Sequence, residues 1–354
     1  MSGPLHWIRR SLFSSWPSAL ATLAILWLAA RWLPPFLDWA FAQAVWQASD
    51  PRACREAHGA CWAFIGQKHR FILFGTYPFE QHWRPAAASV LLILLWFCSS
   101  FRRCWHWWLA AVWLAGLALI GALMWGGVLG LPYVENERWG GLILTLLLAS
   151  FGIAFAFPLS ILLALGRRSR LPVLRYACVG TIELVRGVPL ISVLFMASVM
   201  LPLFLPAGAT IDKLLRAQLA LVLFAAAYLA EVVRGGLQAV PRPQVEAAEA
   251  LGLSYRQAML HVVLPQALRL SIAPLVNTFI GFFKDTSLVL IIGLFDFLST
   301  IKVSLQDPAW SGFGVEAYLI ASLVYFLFCY AMSAYSRGLE AAPARAAAAG
   351  LRRE

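Results

Sequence analysis

Residues 140–165 read GGLILTLLLASFGIAFAFPLSILLAL, a run without a single charge. A helix needs about 20 apolar residues to cross the hydrocarbon core of a bilayer. A surface helix of a soluble domain would show a polar face within that length, and this run has none. The stretch therefore decides the fold: it spans a membrane. Across the chain, 61% of the 354 residues are hydrophobic and 13% are charged, about half the charge of a soluble domain. Working outward, apolar runs of spanning length cover about 18–34, 85–101, 105–130, 174–204, 216–236, 270–295 and 315–336. Together they predict an all-α polytopic membrane protein of about eight transmembrane helices.

The net charge of +11 has a simple source in such a protein, because basic loops are retained on the cytoplasmic side. No basic run is interleaved with aromatics as a nucleic-acid groove requires. With the N-terminus in the cytoplasm, sixteen of the 28 Lys and Arg fall inside: Arg9/Arg10, Arg102/Arg103, Arg167/Arg168/Arg170/Arg175, Arg234/Arg242/Arg256/Arg269 and Arg337/Arg345/Arg352/Arg353. Ten fall outside, six of them in the 31–85 stretch, and Arg186 and Lys284 lie within spans. Both termini are therefore expected in the cytoplasm. The run after Arg9 and Arg10 is followed by no convincing small-x-small cleavage site and reads as an uncleaved first span.

Composition also divides the chain. The first three spans carry almost no charge, whereas the last five are interrupted by polar groups. Residues 1–135 read as an accessory N-terminal region with three spans and an outer loop at 35–84, and 136–340 as a five-span working core. Residues 341–354, AAPARAAAAGLRRE, form a low-complexity cytoplasmic tail. Cys54 and Cys61 share the outer loop on the side where disulfides persist. They are a candidate disulfide, with two free thiols as the alternative. The other cysteines are scattered, with no CxxC and no Cys/His pair at metal-ligand spacing, so no metal site is expected.

The most informative loop is PRPQVEAAEALGLSYRQAMLHVVLPQALRLSIAPLVN, residues 241–277. Pro243 can begin a helix, and Val245 to Leu251 favours one, with Glu246 and Glu249 near its positive end. Gly252 ends that helix. Ser254 caps a second, Tyr255 to Val263, which Pro265 is expected to break. The product is two short helices lying at an angle across the cytoplasmic ends of the spans. Ala247 and Ala248 leave a small-residue face that another protein can approach.

Glu246-Ala247-Ala248, three residues, Gly252, nine residues and Val262-x-Leu264-Pro265 resemble the EAA loop of ABC-importer permeases, with Val262 in place of the commoner Ile. Gly140 to Leu146, Ile182 to Leu190, Ala230 to Gly236 and Lys284-Asp285-Thr286-Ser287-Leu288 are similar to motifs of the polar amino-acid (HisM/GlnP-like) permeases. Over about 140–340 the chain looks closest to the M-type permease of general L-amino-acid uptake systems. The resemblance implies an inner-membrane permease subunit of a binding-protein-dependent importer. Its implied partners are an ABC ATP-binding subunit, a second permease in a heterodimer, a periplasmic amino-acid-binding protein and membrane lipid. The coupling residues implied are Glu246, Ala247, Ala248, Gly252, Leu264 and Pro265. No GxxxxGK[ST] phosphate loop is present, so ATP is expected on the partner. No cofactor and no enzymatic activity are expected of this chain.

Ionisable groups at membrane depth usually pair or face a water-filled path. Glu183 and Arg186, and Glu231 and Arg234, stand at i,i+3 and can meet on one helix face. They read either as local neutralisation at a helix end or as a gate. Arg186-Gly187-Val188-Pro189 is expected to break its helix. Lys284, Asp285, Thr286 and Ser287 read either as contacts for a zwitterionic ligand on the path or as polar packing against a partner permease. A membrane-embedded enzyme would need a nucleophile with its base within the spans. The six His, at 6, 58, 69, 82, 106 and 261, lie mostly in loops. A secondary carrier with inverted repeats would not need the two-helix loop, and no internal duplication is visible.

Overall fold

The computed structural model describes residues 12–128, 130–206 and 210–350, with Arg102 and 341–350 described by backbone alone. Of the charges used for orientation, Arg9, Arg10, Arg352 and Arg353 lie outside the described residues, as do the side chains of Arg102 and Arg345. In chain order the α-helices are α1 (Trp16–Leu37), α2 (Pro51–Glu56), α3 (Trp62–Phe74), α4 (Trp83–Ser100), α5 (Trp108–Trp125), α6 (Gly141–Arg167), α7 (Pro172–Gly187), α8 (Leu190–Phe195) and α9 (Lys213–Ala239). They continue with α10 (Arg242–Ala250), α11 (Tyr255–Ala258), α12 (Leu264–Leu270), α13 (Ile272–Asp285), α14 (Phe297–Ser304) and α15 (Gly314–Gly350).

Among the described residues, seven helical stretches are long and apolar enough to cross a membrane: Trp16–Ala42, Phe79–Ser100, Trp108–Trp125, Gly141–Arg167, Lys213–Ala239, Ile272–Ile292 and Gly314–Glu340. Pro172–Gly187 and Leu190–Phe204 make an eighth if the pair, bent by 106°, is one span. The bend has a local cause. Pro189 has no N–H to donate and its ring pushes Val188 into extended backbone, φ −112° and ψ 135°. Arg31, Arg84, Lys213 and Arg216, counted above with the outer segments, all lie inside helices.

The chain forms two compact units, residues 1–69 with 305–319, and residues 70–304 with 320–354. In the first, Cys54 and Cys61 are joined by a disulfide with Cα atoms 5.5 Å apart. The stretch that follows is tied to 305–319 by polar contacts. The Cys61 N–H donates to the buried Glu316 carboxylate at 2.9 Å, and Arg55 donates to the carbonyl of Ala309 at 2.9 Å. Lys68 and Asp307 pair at 2.5 Å, which holds the Asp307 carboxyl below the usual carboxylate range. Phe64, fully buried, packs on Trp310 and Phe313. The disulfide closes a short loop, with a sequence separation of 7, which in the loop-entropy account stabilises by about 2–3 kcal/mol. Cys54→Ser is therefore expected to lower the unfolding midpoint of the purified protein. Alkylation without reduction should modify neither cysteine in the native chain, and modification of both would refute the bridge.

The second unit is built on α6 and α9. Ala217, Ala220, Ala225, Ala226, Ala227 and Ala230 are all buried along α9, and small residues let membrane helices approach closely. Leu92 and Leu95 of α4 and Ile120 and Met124 of α5 pack with Ile143, Leu146 and Leu147 of α6. The start of α6 is a backbone crossing. Gly141 has φ +71°, and a Cβ there would lie 2.3 Å from the carbonyl carbon of Leu73. Its N–H donates to the Phe295 carbonyl at 2.8 Å. Only glycine allows that approach, which accounts physically for one residue of the Gly140-Gly141 motif.

Arg84 is fully buried at the end of α5, donating through Nε to the Leu123 carbonyl at 2.6 Å and through a terminal nitrogen to the Pro132 carbonyl at 3.0 Å. Carbonyls at a helix C-terminus carry partial negative charge, so the guanidinium acts there as a cap. The Tyr77 hydroxyl joins it by donating to Met124 at 3.0 Å. Burial raises the phenol to about 12, with Arg84 opposing the rise, so Tyr77 stays a donor at neutral pH.

Candidate functional site

The loop between α9 and α13 is a helix–turn–helix. α10 starts with proline in its first turn and ends in a Schellman turn. The N–H groups of Gly252 and Leu253 bond the carbonyls of Glu249 at 2.9 Å and Ala248 at 3.2 Å. Gly252 takes φ +78° to close it, the left-handed cap that glycine adopts without penalty. Ser254 then caps α11 in a capping box with Gln257, whose side-chain oxygen accepts the Ser254 N–H at 2.9 Å.

The expected break at Pro265 does not occur. A π turn, Met259–Val263, closed by the Leu264 N–H on the Met259 carbonyl, carries the helix into α12. The wider turn makes room for the proline ring, and Pro265 falls in the first turn of α12, where no N–H is required. Glu246, Ala247, Gly252 and Pro265 are exposed, Leu264 is half-buried, and Ala248 is buried and anchors the loop. Around the turn stand Leu251, 81% exposed, and Tyr255, 63% exposed.

A charge hub joins the ends of α6, α7 and α9. The Glu231 carboxylate receives Arg167 at 2.6 Å, Arg234 at 2.8 Å and Arg186 at 3.7 Å. Glu183 pairs with Arg167 at 3.0 Å. The Glu231–Arg234 pair forms as the i,i+3 spacing allows, but Glu183 and Arg186 do not pair with each other. Arg186 stands in the last turn before the helix break and lies over the Tyr228 ring, its guanidinium carbon 5.4 Å from the centroid. Glu183, 56% exposed at its side chain, is taken by Arg167 from α6. Two carboxylates thus meet three guanidinium groups across three helices.

Lys284 and Asp285 close α13. Lys284 is exposed and Asp285 half-buried, and none of the ion pairs among the described residues includes either. Thr286 is fully buried and donates to the Phe283 carbonyl at 2.8 Å, and Ser287 donates to the Lys284 carbonyl at 2.9 Å. The two hydroxyls are spent on backbone, which leaves Lys284 and Asp285 as the groups of this motif with unused hydrogen-bonding capacity.

Two residues escaped the sequence reading. Arg167 was counted only as an orienting charge, because nothing in a linear sequence brings α6 against Glu183 and Glu231. Asp296, fully buried, caps α14 by accepting the Ser299 N–H at 3.0 Å and the Leu298 N–H at 3.2 Å, and it also receives the Ser299 and Tyr325 hydroxyls. Burial pushes its carboxyl above the usual range against those hydrogen bonds. A turn aspartate before a short helix is an ordinary cap in sequence, and only packing reveals its burial.

Apolar spans, charged groups gathered at helix ends, a broken span and an exposed helix–turn–helix loop are the features of a polytopic membrane protein. Residues 156–343 match the family described as binding-protein-dependent transport system inner membrane component, and the chain belongs to that family. It is 50% identical to the inner membrane amino-acid ABC transporter permease protein YhdY of Escherichia coli (strain K12), over 96% of this chain and 93% of that protein. It is 39% identical to the glutamate/glutamine/aspartate/asparagine transport system permease protein BztC of Rhodobacter capsulatus, with the same two coverages. A crystal structure of an amino acid ABC transporter with histidines matches with a TM-score of 0.51 at 30% identity, over 56% of this chain and 91% of that one.

Proposed function

We propose that this chain is the permease of an ABC importer that carries L-amino acids, polar or general, across the inner membrane. Residues 136–340 form its translocating core, 1–135 an accessory region and 341–354 a cytoplasmic tail. Both termini face the cytoplasm. The loop bearing Glu246, Ala247, Ala248, Gly252, Leu264 and Pro265 docks a separate subunit that binds ATP. A second permease completes the pore as a heterodimer, and a periplasmic binding protein delivers the ligand. The observation that carries this reading is the α10–α12 loop, with its left-handed glycine and outward Leu251 and Tyr255. The names of the relatives support the amino-acid substrate, and the positive-charge count supports the orientation.

Reconstitution tests it. The chain, its partner permease and its ATP-binding subunit in proteoliposomes, with the loaded binding protein outside, should take up labelled L-amino acids only when ATP is enclosed inside. Uptake without the ATP-binding subunit would overturn the reading.

Within it, the hub of Glu183, Arg186, Glu231 and Arg234 is the gate on the loop side, and Asp285 lies on the path, supported by its lack of a protein ion pair. Lys284, Thr286 and Ser287 flank it. Asp285→Asn should leave the complex assembled with its basal ATPase but remove stimulation by loaded binding protein. Loss of assembly would mark Asp285 as a structural partner instead. Wild-type uptake across several amino acids would take it off the path.

A further inference from the structure

α1 is a helix of 22 residues among which none is buried. Its one charged residue is Arg31, and none of the ion pairs among the described residues includes it. Counting 1.5 Å per residue, Arg31 stands about 9 Å from Leu37, the last residue of α1. From there an arginine can snorkel to the headgroup level of the nearer face. Asp38, the next acidic residue along the chain, accepts from the Gln43 amide.

The surface around Arg31 is shaped. Trp27, Arg31 and Pro35 form one helical stripe and Trp32, Phe36 and Trp39 the neighbouring one, and together they line a groove of about 510 Å³. Tryptophan is enriched at the interfacial level of membrane proteins. Pro34 and Pro35 sit inside the helix and have no N–H for the carbonyls four residues back, those of Ala30 and Arg31. The groove thus offers one cation between indole walls.

We infer that this groove binds one anionic phospholipid. The guanidinium holds the phosphate oxygens in a charge-assisted fork, and the indoles pack the upper acyl chains. A zwitterionic lipid would leave the groove's positive charge unneutralised. The inference rests on α1 crossing a membrane and is independent of what the importer carries.

The test uses the complex purified in mild detergent and titrated with dioleoyl-phosphatidylglycerol or dioleoyl-phosphatidylcholine, with bound lipids counted by native mass spectrometry. Wild type should take its first phosphatidylglycerol about fivefold more tightly than Arg31→Leu, the effect of one basic residue near an anionic lipid. Phosphatidylcholine binding should not change, and Arg31→Lys should fall between. Removing a charge from a span favours insertion, and an intact Cys54–Cys61 bridge checks that the variant is folded. The wild-type preference for phosphatidylglycerol over phosphatidylcholine is a second readout that needs no variant. Equal affinities of wild type and Arg31→Leu for phosphatidylglycerol would overturn the assignment, as would absence of that preference. Loss of another membrane subunit from Arg31→Leu, with lipid binding unchanged, would also overturn it and give the groove to a protein.

Discussion

Gly252→Trp is expected to leave the chain inserted and folded, abolish ATP-dependent uptake and release the ATP-binding subunit on purification. The magnitudes separate folding from docking. A side chain at φ +78° costs roughly 1–2 kcal/mol in backbone strain, too little to unfold a chain with cores of this size. A Cβ at 252 meets no described atom within 4 Å, and Gly252 is exposed, so the new side chain starts into open space at the turn. Gly252→Ala carries the same strain without the bulk and should retain part of the transport. Wild-type uptake by Gly252→Trp would make the docking assignment wrong.

The second large effect is expected at Glu231. Its side chain is 15% exposed and faces Arg167, Arg186 and Arg234. Glu231→Gln leaves three guanidinium groups with Glu183 alone. Removing one partner of a fully buried pair costs about 3–5 kcal/mol, and here the cost is smaller because the three arginines left behind are 25–34% exposed. Glu183→Gln removes a carboxylate that is 56% exposed, where an ion pair contributes about 1 kcal/mol or less. Thermal unfolding of the two variants in one detergent should therefore show a large fall for the first and a small one for the second. Equal falls would mean that the hub does not centre on Glu231.

Length and periodicity were enough to place the spans, because a bilayer imposes its thickness on any helix that crosses it. The break at Val188-Pro189, the turn at Gly252 and the cap at Ser254 were also legible, since each depends on the local chemistry of one or two residues. Pro265 shows where local reasoning stops. A proline predicts a break, yet a π turn absorbs it, because widening one turn costs less than ending a helix that is packed at Val263 and Ala267. The hub shows the same limit for charges. Spacing pairs Glu183 with Arg186 on one helix, but Coulomb energy depends on distance in space, and packing of α6 and α7 against α9 brings Arg167 nearer. The sequence by itself determined that this protein crosses the membrane many times and carries a helix–turn–helix between its spans. Which charges meet and which carboxylate is buried at Asp296 were decided by tertiary structure, because each depends on residues far apart in the chain.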